Sequence, residues 1–337
     1  MVGPNSTGNV LRVGLVGTGF VARLRAEALR SIPQARLSVV AGRTVAEATA
    51  FAQQYGAISV DSWQALIAHP ELDVVVVCHI NCDHDAVVAA ALAAHHHVVV
   101  EYPLSLQPET AQALLAQAEA QQRLLHVEHI ELLSGNHQAL KANLDALGPP
   151  VFARYCTLSP RHPAPKKWTY CPELFGFPLV GALARLHRLI DCFGPVARVY
   201  CQNHYNGLTS ELDGVTRYTT CLCIAQLTFA TGLMAEVVYG KGEALWEPAR
   251  RLELFGHAGA ISFDGGEGRM TNAEGTHAIA VGSRRGLFAK DMAQVIDHLL
   301  TGQPLYCQPQ ASLYTLRVAK AAERSAATGQ AVEILAP

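Results

Sequence analysis

Along the first 130 residues, short runs that are apolar throughout alternate with longer stretches spaced like helices. Residues 10–16, 37–41, 73–78, 98–101 and 124–129 read as strands, and 20–31, 45–55, the alanine-rich 84–94 and 108–122 read as helices. Strands apolar on both sides suit a parallel sheet covered on both faces, and the alternation predicts a doubly wound fold. After about residue 150 the rhythm changes. Residues 151–158, 197–204, 218–229, 233–238, 251–255 and 259–263 are strand-like, with a hairpin turn expected at Thr231-Gly232. One helix over 179–192 interrupts them, and helices near 290–300 and 312–327 close the chain. The predicted fold class is α/β followed by α+β. A Rossmann-type parallel sheet over residues 1–130 precedes a mainly antiparallel β-sheet substrate domain over 131–337, with the closing helices packing back.

Composition narrows the class. At 337 residues the chain is too long for one ordinary core. Half its residues are hydrophobic and 16% are charged, as in a compact enzyme and unlike a disordered chain. With 26 basic against 28 acidic residues the net charge is -2, which argues against a nucleic-acid surface. No apolar stretch approaches the roughly 20 residues of a membrane span. MVGPNSTGN at the start lacks the order of a signal peptide and reads as a loose lead-in to the first strand. The nine scattered cysteines fit reduced thiols, so the expected location is the cytoplasm. Association of copies through the C-terminal sheet is compatible with the pattern.

The candidate chemistry begins at Val13-Gly14-Leu15-Val16-Gly17-Thr18-Gly19-Phe20-Val21-Ala22, a GxGxxA pattern between a predicted strand and helix. Gly17 permits the tight turn, Gly19 lets the backbone approach a pyrophosphate, and Ala22 allows helix and strand to pack closely. The N–H groups of Thr18, Phe20 and Val21 open the helix, where anions bind. The next strand ends Val40-Ala41-Gly42-Arg43-Thr44, with no carboxylate for a ribose 2′-OH. Arg43 can pair with a 2′-phosphate and Thr44 can donate to it, which points to NADPH, with NADH as the lesser partner. The competing reading makes Arg43 a solvated surface charge. Cys78-His79-Ile80-Asn81-Cys82-Asp83-His84 holds zinc-type ligands but lacks a second pair at finger spacing, so it is read as a loop beside the cofactor, His79 included, and not as a metal site. His95-His96-His97 reads as a helix-to-strand turn.

The N-terminal GxGxxA unit, a strand ending Glu-x-Pro and a β-rich second half resemble the Gfo/Idh/MocA superfamily. Its sugar-oxidising members carry Glu-Lys-Pro and an Asp/His pair on a helix. Here the strand ends Glu101-Tyr102-Pro103, and the corresponding helix carries Ala184 and Arg188 instead. These departures, with His126-Val127-Glu128-His129-Ile130-Glu131-Leu132-Leu133, Phe175-Gly176-Phe177-Pro178 and Ala184-Arg185-Leu186, resemble the biliverdin reductase family. Pro163-Ala164-Pro165-Lys166-Lys167-Trp168-Thr169-Tyr170 and Val281-Gly282-Ser283-Arg284-Arg285-Gly286-Leu287-Phe288 are similar to its bacterial branch.

That resemblance implies hydride transfer from NADPH to the C10 methine bridge of biliverdin, giving bilirubin. The substrate is flat, conjugated and carries two propionates, so its site needs apolar walls and cations. Arg185 is then the catalytic candidate, stabilising the charge that hydride addition places on the pigment. Arg188, three positions on, shares its helix face as a substrate partner. Glu101, at the end of its strand, is a candidate both for catalysis and for holding the cofactor. Tyr102 is a catalytic candidate that contacts the pigment or hydrogen-bonds near the reacting ring, or else packs beside Pro103, and His84 is either a helix-terminus group or a catalytic proton relay. Glu128 and His129 either orient the site, His129 against the substrate, or form a structural network. Lys167 and Trp168 sit in a proline-rich loop that can cover the pocket, and Arg284 and Arg285 form a second candidate propionate clamp or a solvated pair. The rival readings are a sugar or polyol dehydrogenase and a non-catalytic pigment or nucleotide sensor.

Overall fold

The computed structural model describes residues 10–210 and 214–335, so the residue 1–9 lead-in lies outside the described residues. In chain order the elements of the first half are β1 (Leu11–Val16), α1 (Phe20–Arg30), β2 (Ala35–Ala41), α2 (Val45–Tyr55), β3 (Ile58–Val60), α3 (Trp63–Ile67), β4 (Val74–Val77), α4 (His84–Ala93), β5 (His97–Val100), α5 (Pro108–Ala120), β6 (Leu125–Val127) and α6 (Gly135–Leu147). The six strands form one parallel sheet in the order β3-β2-β1-β4-β5-β6. All four residues of β4 and the last three of β5 are fully buried, because helices cover both faces, and that is why these strands read as unbroken apolar runs. The order reverses between β1 and β4, and the crevice at the carboxyl ends of those strands is where such folds take a ligand.

The second half continues with β7 (Pro150–Pro160), α7 (Pro172–Phe175), α8 (Pro178–Gly181), α9 (Ala184–Phe193), β8 (Val196–Asn206), β9 (Thr209–Ser210), β10 (Thr216–Arg217), β11 (Thr220–Phe229), β12 (Met234–Gly242), β13 (Ala249–Gly256), β14 (Gly259–Asp264), β15 (Glu267–Asn272), β16 (Gly275–Ile279), α10 (Leu287–Thr301), α11 (Pro309–Thr328) and β17 (Val332–Glu333). Nine strands form a sheet in the order β16-β15-β14-β13-β7-β12-β11-β8-β17, antiparallel except where β12 meets β7. The fold class is therefore a Rossmann-type sheet followed by a mostly antiparallel mixed one. The β11–β12 hairpin turns at Gly232, whose φ of 90° suits a residue without Cβ.

Alternation along β12 sends Ala235, Val237, Tyr239 and Lys241 inward, and all four are buried. The single helix expected over 179–192 is broken instead into α8 and α9. Gly181 lies against Phe175, at 2.3 Å from a Cβ placed there, so the ring occupies the space beside the backbone at the break. The short β3, α3 and β17 fall below the length at which periodicity speaks. The polar, turn-rich β15 and β16 and the helix α6 carry no strong apolar stripe. No helix among the described residues is long and apolar enough to cross a membrane.

Candidate active site

The β1–α1 turn is shaped for a dinucleotide. Gly17 has φ of 118°, and a Cβ there would stand 2.3 Å from the Cys78 carbonyl oxygen, so the turn closes only with glycine. Its N–H donates to the Ala41 carbonyl at 2.8 Å. A Cβ on Gly19 would meet nothing, which leaves open space beside the helix start. No side chain caps α1 and no acidic residue stands in its first turn, so its N–H groups face that space unblocked. Phe20 is 69% exposed at the same end. These features fit a pyrophosphate. Arg43 is exposed and pairs with Glu47 at 2.9 Å, while the Thr44 hydroxyl caps α2 by accepting from the Glu47 N–H at 3.2 Å and keeps its own hydrogen to donate. Nothing in β2 supplies the carboxylate that a ribose diol would want.

The zinc-type cluster disperses. Cys78 Sγ turns to Glu101 at 4.0 Å, and His79 pairs with Asp83 at 3.3 Å. His84, expected as a helix-terminus group or a relay, opens α4 and is 1% exposed, with Nδ1 on the Pro103 carbonyl at 2.8 Å and Nε2 on the His79 carbonyl at 3.1 Å. It holds the loops after β4 and β5 together.

Glu101, at the end of β5, accepts two bonds from Arg25 at 2.8 and 3.0 Å. Arg25 is wholly buried and also pairs with Asp291 on α10. Asp291 further takes His126 Nε2 at 2.8 Å and the Tyr306 hydroxyl at 2.7 Å. Burial raises the Asp291 carboxyl, but the Arg25 and His126 charges outweigh it and hold it below its usual range. Glu128 goes the other way: burial, then the charge of Glu101 and a hydrogen bond with it, push its carboxyl well up.

Tyr102, next along the chain, is partly exposed and forms the front of a three-ring stack. Its ring lies 5.3 Å from His129, which lies 3.8 Å from His187. His129 Nε2 meets the Ser312 hydroxyl at 2.9 Å and His187 Nδ1 meets Thr315 at 2.7 Å, both on α11. Thr315 already donates to the Ala311 carbonyl, so His187 carries its proton on Nδ1. Burial lowers both imidazoles, His187 to about 4, and they stack as neutral rings. His129, expected either against the substrate or in a structural network, is 1% exposed and backs the Tyr102 ring.

Arg185 stands in the first turn of α9, partly exposed, with its guanidinium 5.5 Å from the centre of the Tyr239 ring. Its backbone N–H donates to the Ala182 carbonyl, but its guanidinium makes no hydrogen bond or ion pair among the described residues, and its Nε is buried and unpartnered. Burial works against its charge, but Tyr102, Tyr155, Tyr239 and Glu131 raise its pKa above the ordinary value, so it remains a cation. Arg188 differs although one turn away. It is 3% exposed and donates to Glu131 at 2.8 Å and to Ser134 at 3.2 Å, so the expected substrate partner is held in an interior ion pair in this structure. Arg250 and Arg284 converge on the same Glu131 carboxylate at 3.1 and 2.5 Å. Burial raises that carboxyl, yet Arg188, Arg284, Arg250 and Arg185 together hold it below its usual range. The region is thus cationic overall, with Arg250 and Arg284 each about a third exposed. Arg285 is exposed, and its backbone N–H donates to Ser283. Lys167 is exposed at the start of the Trp168–Tyr170 turn, and the Trp168 ring lies 5.9 Å from Phe175. Arg250, Tyr239, Arg25 and Asp291 carried no sequence signal, and Glu131 was quoted only within a resembling stretch with no role of its own, because their partners lie far along the chain.

Residues 11–129 match the oxidoreductase family model for an NAD-binding Rossmann fold, and residues 143–334 match the family's C-terminal alpha/beta domain. The chain belongs to the Gfo/Idh/MocA oxidoreductase family. Within this family it is similar to the crystal structure of biliverdin reductase in complex with biliverdin and NADP+ from Synechocystis sp. PCC 6803. The two share 43% identity and a TM-score of 0.90, covering 95% of this chain and all of that one. Mouse biliverdin reductase A is 33% identical over 149 residues, 42% of this chain and 48% of the mouse protein, so that match spans about half of its length. UDP-N-acetylglucosamine 3-dehydrogenase from Acidithiobacillus ferrooxidans shares the family fold at a TM-score of 0.79 and 21% identity, covering 95% of this chain and 99% of that one.

Proposed function

We propose that the protein is an NADPH-dependent biliverdin reductase, reducing the central C10 methine bridge to give bilirubin. The observation that carries the reading is Arg185, a partly exposed cation with no counter-ion among the described residues, standing among Tyr102, Tyr155 and Tyr239. A guanidinium left unpaired in such surroundings is costly unless a ligand answers it, and a conjugated pigment gaining electron density does so. When bound, the reduced nicotinamide supplies the hydride. Gly17, Gly19 and the start of α1 would hold its pyrophosphate, and Arg43 and Thr44 a 2′-phosphate.

The chain's own residues set the rest. Tyr102 and Tyr239 offer flat apolar faces, and the histidine stack fixes the plane of Tyr102. Arg250 and Arg284 can exchange Glu131 for a propionate, since both are already arranged around a carboxylate. Arg185 holds its proton too tightly to be the acid, so it stabilises charge, and the proton for the pyrrole nitrogen arrives through water. The Synechocystis enzyme, with biliverdin and NADP+ bound, supports the same pairing of ligands here.

Purified protein mixed with biliverdin and NADPH is expected to lose the long-wavelength absorbance of the substrate and gain that of bilirubin, faster than with NADH. Arg185→Ala is expected to cut kcat on the order of 100-fold or more while NADPH binding, read by fluorescence, is unchanged. Absence of turnover in the parent protein, or full activity in the variant, would falsify the assignment.

A further inference from the structure

Lys241 lies on the inward face of β12, two residues from Tyr239, and is only 7% exposed. No carboxylate pairs with it among the described residues. Its Nζ instead donates to the Thr169 carbonyl in the Trp168–Tyr170 turn and sits 4.0 Å from the Phe175 ring centre. The rings of Tyr170, Tyr218 and Tyr239 lie at 4.9, 5.7 and 5.9 Å. Tyr239 is also the ring beneath Arg185, so two cations share one aromatic neighbour. Phe175 in turn contacts Trp168. A methionine of similar length would fill this box without burying a charge, so packing gives no reason for a lysine.

We propose that Lys241 is a positioning residue for the reaction, its ammonium tying the Trp168–Tyr170 turn to β12 and so fixing Trp168 and the Tyr239 ring where the pigment docks beside Arg185. The substrate side of this statement rests on the reading above; the anchoring of the turn does not. The hydrogen bond to Thr169 fixes the turn's backbone, and the ring contacts hold Phe175, against which Trp168 leans. Both interactions need the positive charge at full strength.

Burial lowers Lys241 to about 8, aided by Arg185 and opposed by Cys221 and Cys171. The other groups facing it stay fixed in this range. Burial raises the phenols of Tyr170, Tyr218 and Tyr239 and the thiol of Cys221, so all remain neutral. Arg161 and Glu243 act on Tyr170 in opposite directions, the first lowering and the second raising its phenol. Below pH 8 the lysine is charged and the turn anchored; above it the anchor weakens.

The sequence has three tryptophans, so a Trp63→Phe/Trp246→Phe background reports Trp168 alone. Its emission, titrated without pigment, is expected to shift with a midpoint near pH 8. Lys241→Arg, charged throughout, should abolish the shift, and Lys241→Met should show the high-pH emission at every pH. In the natural chain Lys241→Met is expected to raise the KM for biliverdin on the order of tenfold with a much smaller change in kcat, and Lys241→Arg to restore it. The Tm of Lys241→Met should not fall, because a buried charge has been removed. A pH-independent Trp168 emission, or a transition that persists in Lys241→Arg, overturns the proposal. A Trp168 transition lost in Lys241→Arg, in a protein that does not reduce biliverdin, upholds the anchor and sinks the pigment reading alone.

Discussion

Arg185 and Arg188 are three positions apart, and helical spacing makes them look like a matched pair. Their environments divide them: Arg188 meets Glu131 and Ser134 in the interior, whereas the Arg185 guanidinium faces an aromatic ring and pairs with no carboxylate among the described residues. That division was not legible, because Glu131 is 57 residues from Arg188 and 119 from Arg250. Tyr102 was left between a contact and a packing residue, and the structure gives the physical basis for both, a partly exposed ring braced by two buried imidazoles. Those imidazoles make the fold acid-sensitive. His187 titrates near 4 in the folded chain against an ordinary 6.5, so the unfolded chain binds the extra proton first as pH falls. Stability is therefore full above pH 6.5 and is lost between 6.5 and 4, by on the order of 3 kcal/mol for this residue. His129 shifts in the same direction and adds to the loss. Urea unfolding at pH 7 and near the lower limit should show the drop, and His187→Gln should shrink it. Equal stability at both pH values would contradict the burial of neutral rings.

At the scale of elements, the β1–α1 turn separates two uses of glycine that the GxGxxA pattern lists together. Gly17→Ala forces a Cβ into the Cys78 carbonyl at a positive φ, and should lower the Tm as well as weaken cofactor binding. Gly19→Ala meets open space in the free protein, so the Tm should hold while NADPH affinity falls at least tenfold, because the methyl stands where the pyrophosphate approaches. Calorimetry and fluorescence titration of both variants check this; a Gly19 variant that binds NADPH normally would remove the phosphate site from this turn. The apolar strands of the first sheet were readable because double-sided burial leaves no polar alternation. The helix expected over 179–192 was misjudged because residue spacing does not reveal Phe175 filling the place beside Gly181.

At the scale of the whole molecule, a buried polar network joins the two ends of the chain. Arg25 on α1 bridges Glu101 after β5 and Asp291 on α10, 266 residues away, with His126 and Tyr306 completing the shell of Asp291. Asp291→Ala leaves Arg25 without one of its two counter-ions in a dry interior, and should cost about 3–5 kcal/mol in denaturant unfolding. A loss below 1 kcal/mol would mean that water or Glu101 alone satisfies the guanidinium. By itself the sequence determined the alternation of strands and helices, the phosphate-binding turn, the absence of a carboxylate after β2 and the family resemblance, since each is written in neighbouring residues through local geometry and periodicity. The tertiary structure decided which charges are paired and which are left for a ligand. Arg185 has no counter-ion among the described residues, Arg188 is consumed by Glu131, and Lys241 lies caged behind Tyr239, because a side chain's counter-ions come from elements that only folding brings together.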